Sequence, residues 1–327
     1  MAIIVTGSAG FIGYHVSLAL LARGERVVGV DNLSPYYDPA LKEARLAQLE
    51  GHGGFTSVRL DVADLEAVRA LARHHQSEIT GVIHLAAQAG VRHSLTAPFD
   101  YVHSNLEGHM VILEACRHEL PNLEHLVYAS SSSVYGGNTK IPFAVADRVD
   151  QPISLYAATK RANELMSHCY AHLYGIPQTG LRFFTVYGPW GRPDMAAYLF
   201  ADAIVHGRPI TLNNKGDMER DFTYVDDITA GVLAALDRPP AGDDGPPHAL
   251  YNLGNHRPVA LRRFLEVLEE ALGRKAEVKL APLPPGDVVR TCADIAASRR
   301  DLNFEPKTPI EDGLPRFVAW YREYHGV

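Results

Sequence analysis

The sequence predicts an α/β fold: a doubly wound parallel sheet followed by a smaller C-terminal α/β domain. Three observations predict it. Short β-rich runs alternate with helical patterns through the first half, those runs are apolar almost throughout, and the first ends in a glycine-rich turn. Such alternation builds a parallel sheet covered by helices on both faces, so its strands lose the polar/apolar alternation of a one-sided sheet.

In chain order, strands are expected at 3–6, 26–30, 56–60, 81–85, 123–129 and 178–183, with helices at 11–23, 39–50, 65–74, 101–118 and 156–174. In the first helix Ile12, Val16, Ala19 and Leu20 recur at helical spacing and form one buried face. Past residue 184 the rhythm changes: Gly188-Pro189, Gly191-Arg192-Pro193 and Gly207-Arg208-Pro209 punctuate shorter elements. Residues 238–248, rich in Pro, Gly and Asp, read as a surface loop, and helical patterns return at 260–272 and 310–325. The expected division is a first domain over 1–184, rejoined by 225–252, and a second over 185–224 and 253–327.

With 327 residues, 46 % hydrophobic and 21 % charged, the chain can bury a sizeable core. A net charge of -7 gives no reason to expect nucleic acid or an anionic membrane as partner. Cys116, Cys169 and Cys292 are far apart and form no CxxC pair, and the sixteen histidines contain no HExxH, so neither a disulfide framework nor a metal site is expected. The first apolar run meets glycine at once, unlike a leader peptide, and no stretch nears the roughly 18–20 apolar residues of a membrane span. The expectation is a cytoplasmic protein.

Thr6-Gly7-Ser8-Ala9-Gly10-Phe11-Ile12-Gly13 is a GxxGxxG pattern at a strand-to-helix turn. Glycines there let the backbone turn tightly against a pyrophosphate and let the phosphates meet free N–H groups at a helix N-terminus. The second strand ends at Asp31, 18 residues beyond Gly13, where a carboxylate accepts hydrogen bonds from the adenosine ribose or merely caps a turn. It would repel a 2′-phosphate, and Asn32-Leu33 supplies no arginine, so NAD is favoured over NADP. Asp61-Val62 and Leu85-Ala86-Ala87-Gln88 follow the third and fourth strands, at the sheet end where such ligands bind.

Tyr156 and Lys160 lie four apart in a helical pattern and share one face. An ammonium beside a phenol favours the phenolate and makes it a usable base near neutrality. Upstream stands Tyr128-Ala129-Ser130-Ser131-Ser132-Ser133-Val134-Tyr135-Gly136, a hydroxyl cluster past a strand end that in isolation would be a plain loop. Together with the glycine turn and in this order, the pattern is specific.

On these motifs the chain resembles the extended short-chain dehydrogenases/reductases, a Rossmann-type family, and within them most closely the UDP-glucuronate 4-epimerases. TGSAGFIG, DNLSPYYDPALKEARL, HLAAQAGVR, YASSSSVYG, SLYAATK, LRFFTVYGPWGRPDM, RDFTYVDDI and PGDV carry the resemblance from residue 1 to about 294. It implies tightly held NAD, with Asn105 among its contacts, a UDP-sugar substrate, and a homodimer built on a four-helix bundle from 101–118 and 156–174. It also implies that Tyr156 is the base, Lys160 its partner and Ser131 the group on O4. Relatives that dehydrate or decarboxylate place an acidic residue in the motif before VYG, where this chain has Ser131, Ser132 and Ser133. Return of the hydride, hence epimerisation, is then the simplest outcome.

A 4-keto glucuronate is a β-keto acid and can lose carbon dioxide, so an epimerase must hold the carboxylate still. Ser132, Ser133 and Thr185 offer uncharged donors for this. Galactose epimerases typically have asparagine at the position of Thr185, which supports an acidic sugar, although a β-branched residue ending a strand is the plainer reading. Arg220 matches the family's phosphate arginine, and Arg192 is a second candidate near the sugar or phosphates. Arg92 lies at the cofactor–sugar junction or on the surface, and Asp287 matches the carboxylate that binds the uridine ribose. Leu283-Pro284-Pro285 and Asn213 depart from the family at the nucleotide end. The competing readings are a UDP-glucose 4-epimerase, a UDP-glucuronate decarboxylase, and a non-catalytic NAD sensor, which would be expected to have a broken YxxxK.

Overall fold

A computed structural model describes residues 1–243, 245–284 and 286–327. Among them β1 (Ala2–Thr6), β2 (Arg26–Asp31), β3 (Phe55–Arg59), β4 (Ile79–His84), β5 (His125–Ser131), β6 (Gln178–Phe183) and β11 (His248–Leu253) form one sheet, in the order β11-β6-β5-β4-β1-β2-β3. Every pairing is parallel. The strand order reverses between β1 and β4, which opens a crevice at their carboxyl ends.

Helices α1 (Phe11–Ala22), α2 (Pro39–Glu50), α3 (Leu65–His75), α4 (Pro98–Tyr101), α5 (Gly108–Glu119), α6 (Leu155–Tyr174) and α8 (Val225–Leu236) cover the sheet. Alternate residues of β1 enter opposite cores: Ile3 and Val5 pack with Val16 and Leu20 of α1, while Ala2 and Ile4 pack with Val68 of α3 and Ile112 of α5. Helix α6 starts where the Ser154 hydroxyl accepts the Ala157 N–H at 3.1 Å, a cap that places Tyr156 and Lys160 in the first two turns.

Two elements differ from expectation. The helix expected over 101–118 is broken by a π-helical turn, Val102–Glu107, between α4 and α5. There the Asn105 carbonyl accepts from the Asn163 side chain at 2.7 Å, and the wider turn directs Asn105 inward. The third strand is an edge strand with Thr56, Ser57 and Arg59 exposed, so it is not apolar throughout.

The smaller lobe pairs β7 (Thr185–Tyr187) with β10 (Phe222–Tyr224), β8 (Ile210–Leu212) with β13 (Val278–Leu280), and β9 (Glu219–Arg220) with β12 (Val259–Ala260). Around them pack α7 (Ala196–Val205), α9 (Leu261–Leu272), α10 (Ala296–Leu302) and α11 (Ile310–His325). Buried Asp221 ties its loops together by accepting backbone N–H groups from Asn255 at 2.6 Å, His256 at 3.0 Å and Ala293 at 2.9 Å. Between β10 and this lobe's later elements, α8 and β11 return to the large sheet.

Candidate active site

A cleft of about 840 Å³ runs over the carboxyl ends of β1 and β4 and under the smaller lobe. At its floor Gly7 adopts φ +71°, and a Cβ there would lie 2.8 Å from the Ala86 nitrogen. A Cβ on Gly13 would lie 2.0 Å from the Gly7 carbonyl oxygen, so α1 can approach the turn only without a side chain. Gly10 N–H closes the turn on the Gly7 carbonyl at 2.9 Å, and Phe11 and Ile12 begin the helix at the cleft wall. This cradle of bare backbone at a helix N-terminus fits a dinucleotide pyrophosphate.

Asp31 braces the turn. Its two carboxylate oxygens accept the N–H groups of Ala9 at 3.1 Å and Leu33 at 2.8 Å, and the carboxylate lines the cleft with lone pairs left for ribose hydroxyls. Capping and ligand binding are therefore compatible roles. The Asn32 amide donates to Asp61 at 3.0 Å and the Ala63 N–H does so at 2.9 Å. Burial pushes the Asp61 carboxyl up, but these donors and His103 outweigh it and hold the group below the usual carboxylate range. Val62, Leu85, Ala86, Ala87 and Gln88 line the same stretch. Asn105 does not. It lies one layer behind, with its amide bracketing the Gln88 backbone at 2.8 and 3.0 Å and reaching Thr159 at 3.1 Å, so it shapes the wall rather than facing the cleft.

Tyr156 and Lys160 project into the cleft from α6, facing Ser131 at the end of β5. The buried Lys160 ammonium donates to the Ala129 carbonyl at 2.9 Å, and burial pulls its pKa down to about 8. Burial holds the Tyr156 phenol above its ordinary value, although the Ser131 hydroxyl and the Arg192 charge pull it part of the way down. The Ser131 hydroxyl also accepts the Ser133 N–H at 3.1 Å, starting a 3-10 turn that brings Ser132 and Ser133 to the cleft beside Thr185.

The candidate arginines all stand beside carboxylates. Arg192 forks onto Asp194 at 2.9 and 2.6 Å, and Tyr36 donates to the same carboxylate at 3.1 Å. Arg220 meets Asp287 at 2.7 Å, and burial lowers its pKa despite that partner. Arg92 is largely exposed and 3.7 Å from the other Asp287 oxygen. Asn213 lines the far end near Thr211, and Pro285 lies outside the described residues.

Sequence reasoning missed Arg45, Tyr36, Lys42 and Asp194. Fully buried Arg45 donates to the Ala9 carbonyl at 2.8 Å and the Trp190 carbonyl at 2.6 Å, locking the glycine turn to the 188–193 loop. The signal was present: Arg45 sits four residues from both Leu41 and Leu49, on the apolar face of α2. Lys42 lines the cleft and donates to the Ser34 carbonyl at 2.8 Å.

Among known proteins, residues 3–254 match the model of the NAD dependent epimerase/dehydratase family. UDP-glucuronate 4-epimerase 4 of Arabidopsis thaliana is 48 % identical over 99 % of this chain and 76 % of its own length. The UDP-glucuronic acid 4-epimerase of Bacillus cereus, solved with UDP-glucuronic acid and NAD, superposes with a TM-score of 0.87 at 33 % identity, covering 99 % of this chain and 100 % of that one. The UDP-glucose 4-epimerase of Thermotoga maritima, solved with UDP-glucose, gives a TM-score of 0.88 at 29 % identity over 99 % and 100 % of the two chains. With its dinucleotide cradle, its tyrosine–lysine pair and this breadth of similarity, the chain belongs to the NAD dependent epimerase/dehydratase family.

Proposed function

We propose that the chain is a UDP-glucuronate 4-epimerase, interconverting UDP-glucuronate and UDP-galacturonate. One observation carries this reading. The tyrosine–lysine pair shares its cleft with three consecutive serine hydroxyls and Thr185, and residues 131–133 bring no carboxylate to the sugar. The substrates of the plant and Bacillus relatives support the same choice.

Bound NAD supplies the reversible hydride acceptor for C4. Gly7, Gly10 and Gly13 admit its pyrophosphate, and Asp31 takes the adenosine ribose. Tyr156, as phenolate, removes the O4 proton, with the Lys160 ammonium lowering the cost of the negative charge. Ser131 donates to O4 and keeps it in line with the phenol. After the 4-keto sugar turns over, the hydride would return to the opposite face of C4 while Tyr156 gives the proton back to O4. Ser132, Ser133 and Thr185 hold the carboxylate with neutral hydrogen bonds, so the C5–C6 bond stays poorly aligned with the C4 carbonyl. Arg220 and Arg192 serve the diphosphate and the sugar, and Asp287 the uridine ribose.

We also infer a homodimer through the 101–118 segment and α6, supported by Val102, Leu165 and Leu173, which the single chain leaves exposed, with exposed Leu95 and Phe99 just before that segment. No helix among the described residues is long and apolar enough to cross a membrane.

The test is incubation of the purified protein with UDP-glucuronate, without added cofactor, followed by NMR. UDP-galacturonate without release of carbon dioxide is expected. Conversion of UDP-glucose but not of UDP-glucuronate, even with NAD supplied, would replace this reading with a hexose epimerase.

A further inference from the structure

Beneath the hydroxyl loop lies a charged network that the chemistry above does not use. Glu164 stands four residues beyond Lys160 on α6, and its side chain is fully buried. It forks with buried Arg182 of β6 at 2.7 and 2.8 Å, accepts the Ser130 hydroxyl at 2.6 Å, and accepts Arg161 at 2.8 Å. Arg182 in turn donates to the Tyr135 hydroxyl at 3.0 Å, and Tyr135 donates to Asn252 at 2.7 Å. The substrate-facing residues Ser131, Ser132 and Ser133 are therefore gripped at both ends: Ser130 by Glu164, and Tyr135 by Arg182 and Asn252.

An ion pair taken out of water is costly, and buried pairs of this kind are often replaceable by apolar residues of similar volume without loss of stability. A fully satisfied buried network does, however, restrict a loop to one arrangement. The anchored loop carries the serine facing Tyr156, and the Ala129 carbonyl that accepts Lys160 lies just before Ser130. We propose that Glu164 and Arg182 are positioning residues for the epimerase, setting the register of the 130–135 loop against Tyr156 through Ser130 and Tyr135. This rests on Tyr156 as the base.

The inference predicts an effect on chemistry rather than on binding. Loosening either grip weakens the hydrogen bond from Ser131 that helps ionise Tyr156, so the acidic limb of the kcat–pH profile moves to higher pH. Glu164→Gln strands the Arg182 charge and risks unfolding the protein. The decisive variants are therefore Ser130→Ala and Tyr135→Phe, which leave the ion pair intact. In each, kcat with UDP-glucuronate is expected to fall about tenfold, the order of one such hydrogen bond, with KM within about twofold and bound NAD unchanged. Ser130→Thr, which keeps the hydroxyl, should restore the wild-type limb. An unmoved acidic limb and wild-type kcat in both variants, with Tyr156→Phe inactive, would overturn the positioning role and leave the base assignment standing. An active Tyr156→Phe would instead overturn the underlying reading.

Discussion

Arg220 and Asp287, 67 residues apart in the chain, face each other at 2.7 Å across the nucleotide end of the cleft. Each neutralises the other, so a diphosphate must compete with Asp287 for the arginine. Replacing Arg220 with Ala should raise KM for the UDP-sugar by about ten- to a hundredfold, the range of a charge-assisted hydrogen bond, with a smaller change in kcat. Steady-state kinetics on the variant checks this, and a fall in kcat alone would count against a binding role.

Tyr156→Phe should lower turnover by about a hundred- to ten-thousandfold, the usual worth of a positioned general base, and leave NAD bound. Product formation and cofactor released on denaturation measure the two separately. Burial pulls the Lys160 ammonium down to about 8, so support for the phenolate should fade as pH rises through that value, which a kcat–pH profile checks.

Thr185→Asn should weaken catalysis with UDP-glucuronate more than with UDP-glucose. The ratio of kcat/KM for the two substrates is the readout, and an equal loss on both would remove Thr185 from carboxylate binding.

Gly13→Ala sets a methyl carbon 2.0 Å from the Gly7 carbonyl oxygen. The helix must back away from the turn, so the variant should purify without NAD. Chromatography of the denatured protein's supernatant reports this directly.

Acid should destabilise the fold earlier than its carboxylates alone would require. Burial lowers His84 to about 3, and His125 and His248 to about 4, from the ordinary 6.5. These imidazoles stay neutral in the fold, whereas the unfolded chain takes up protons below about pH 6.5. The stability they allow is complete above 6.5 and is lost as pH falls from there towards 4, each histidine steepening the loss by about 1.4 kcal/mol per pH unit. Urea unfolding at pH 7.5, 6 and 5 should show it, and His125→Gln should flatten the slope if the variant folds.

Much of the site could be read from the chain because its signals are local. Gly7, Gly10 and Gly13 share one turn, and Tyr156 and Lys160 share one helical face, so spacing alone brings each group together. Arg45 was legible in principle, as a charge in an apolar helical stripe, and went unread because a long cation usually reaches solvent. The placement of Asn105 behind the Gln88 backbone was not legible, because nothing in its neighbourhood announces a π turn whose carbonyl is held by Asn163.

The sequence by itself determined the alternation of strand and helix, the glycine turn, the acidic residue ending the second strand and the order of the reactive groups. All of these follow from periodicity and backbone sterics within a few residues. Only the tertiary structure decided that Arg220 meets Asp287, that Arg192 is held by Asp194 and Tyr36, and that Glu164 and Arg182 close beneath the serine loop. Opposite charges attract wherever the fold brings them, and which pair meets depends on loop closure and burial, which no local pattern records.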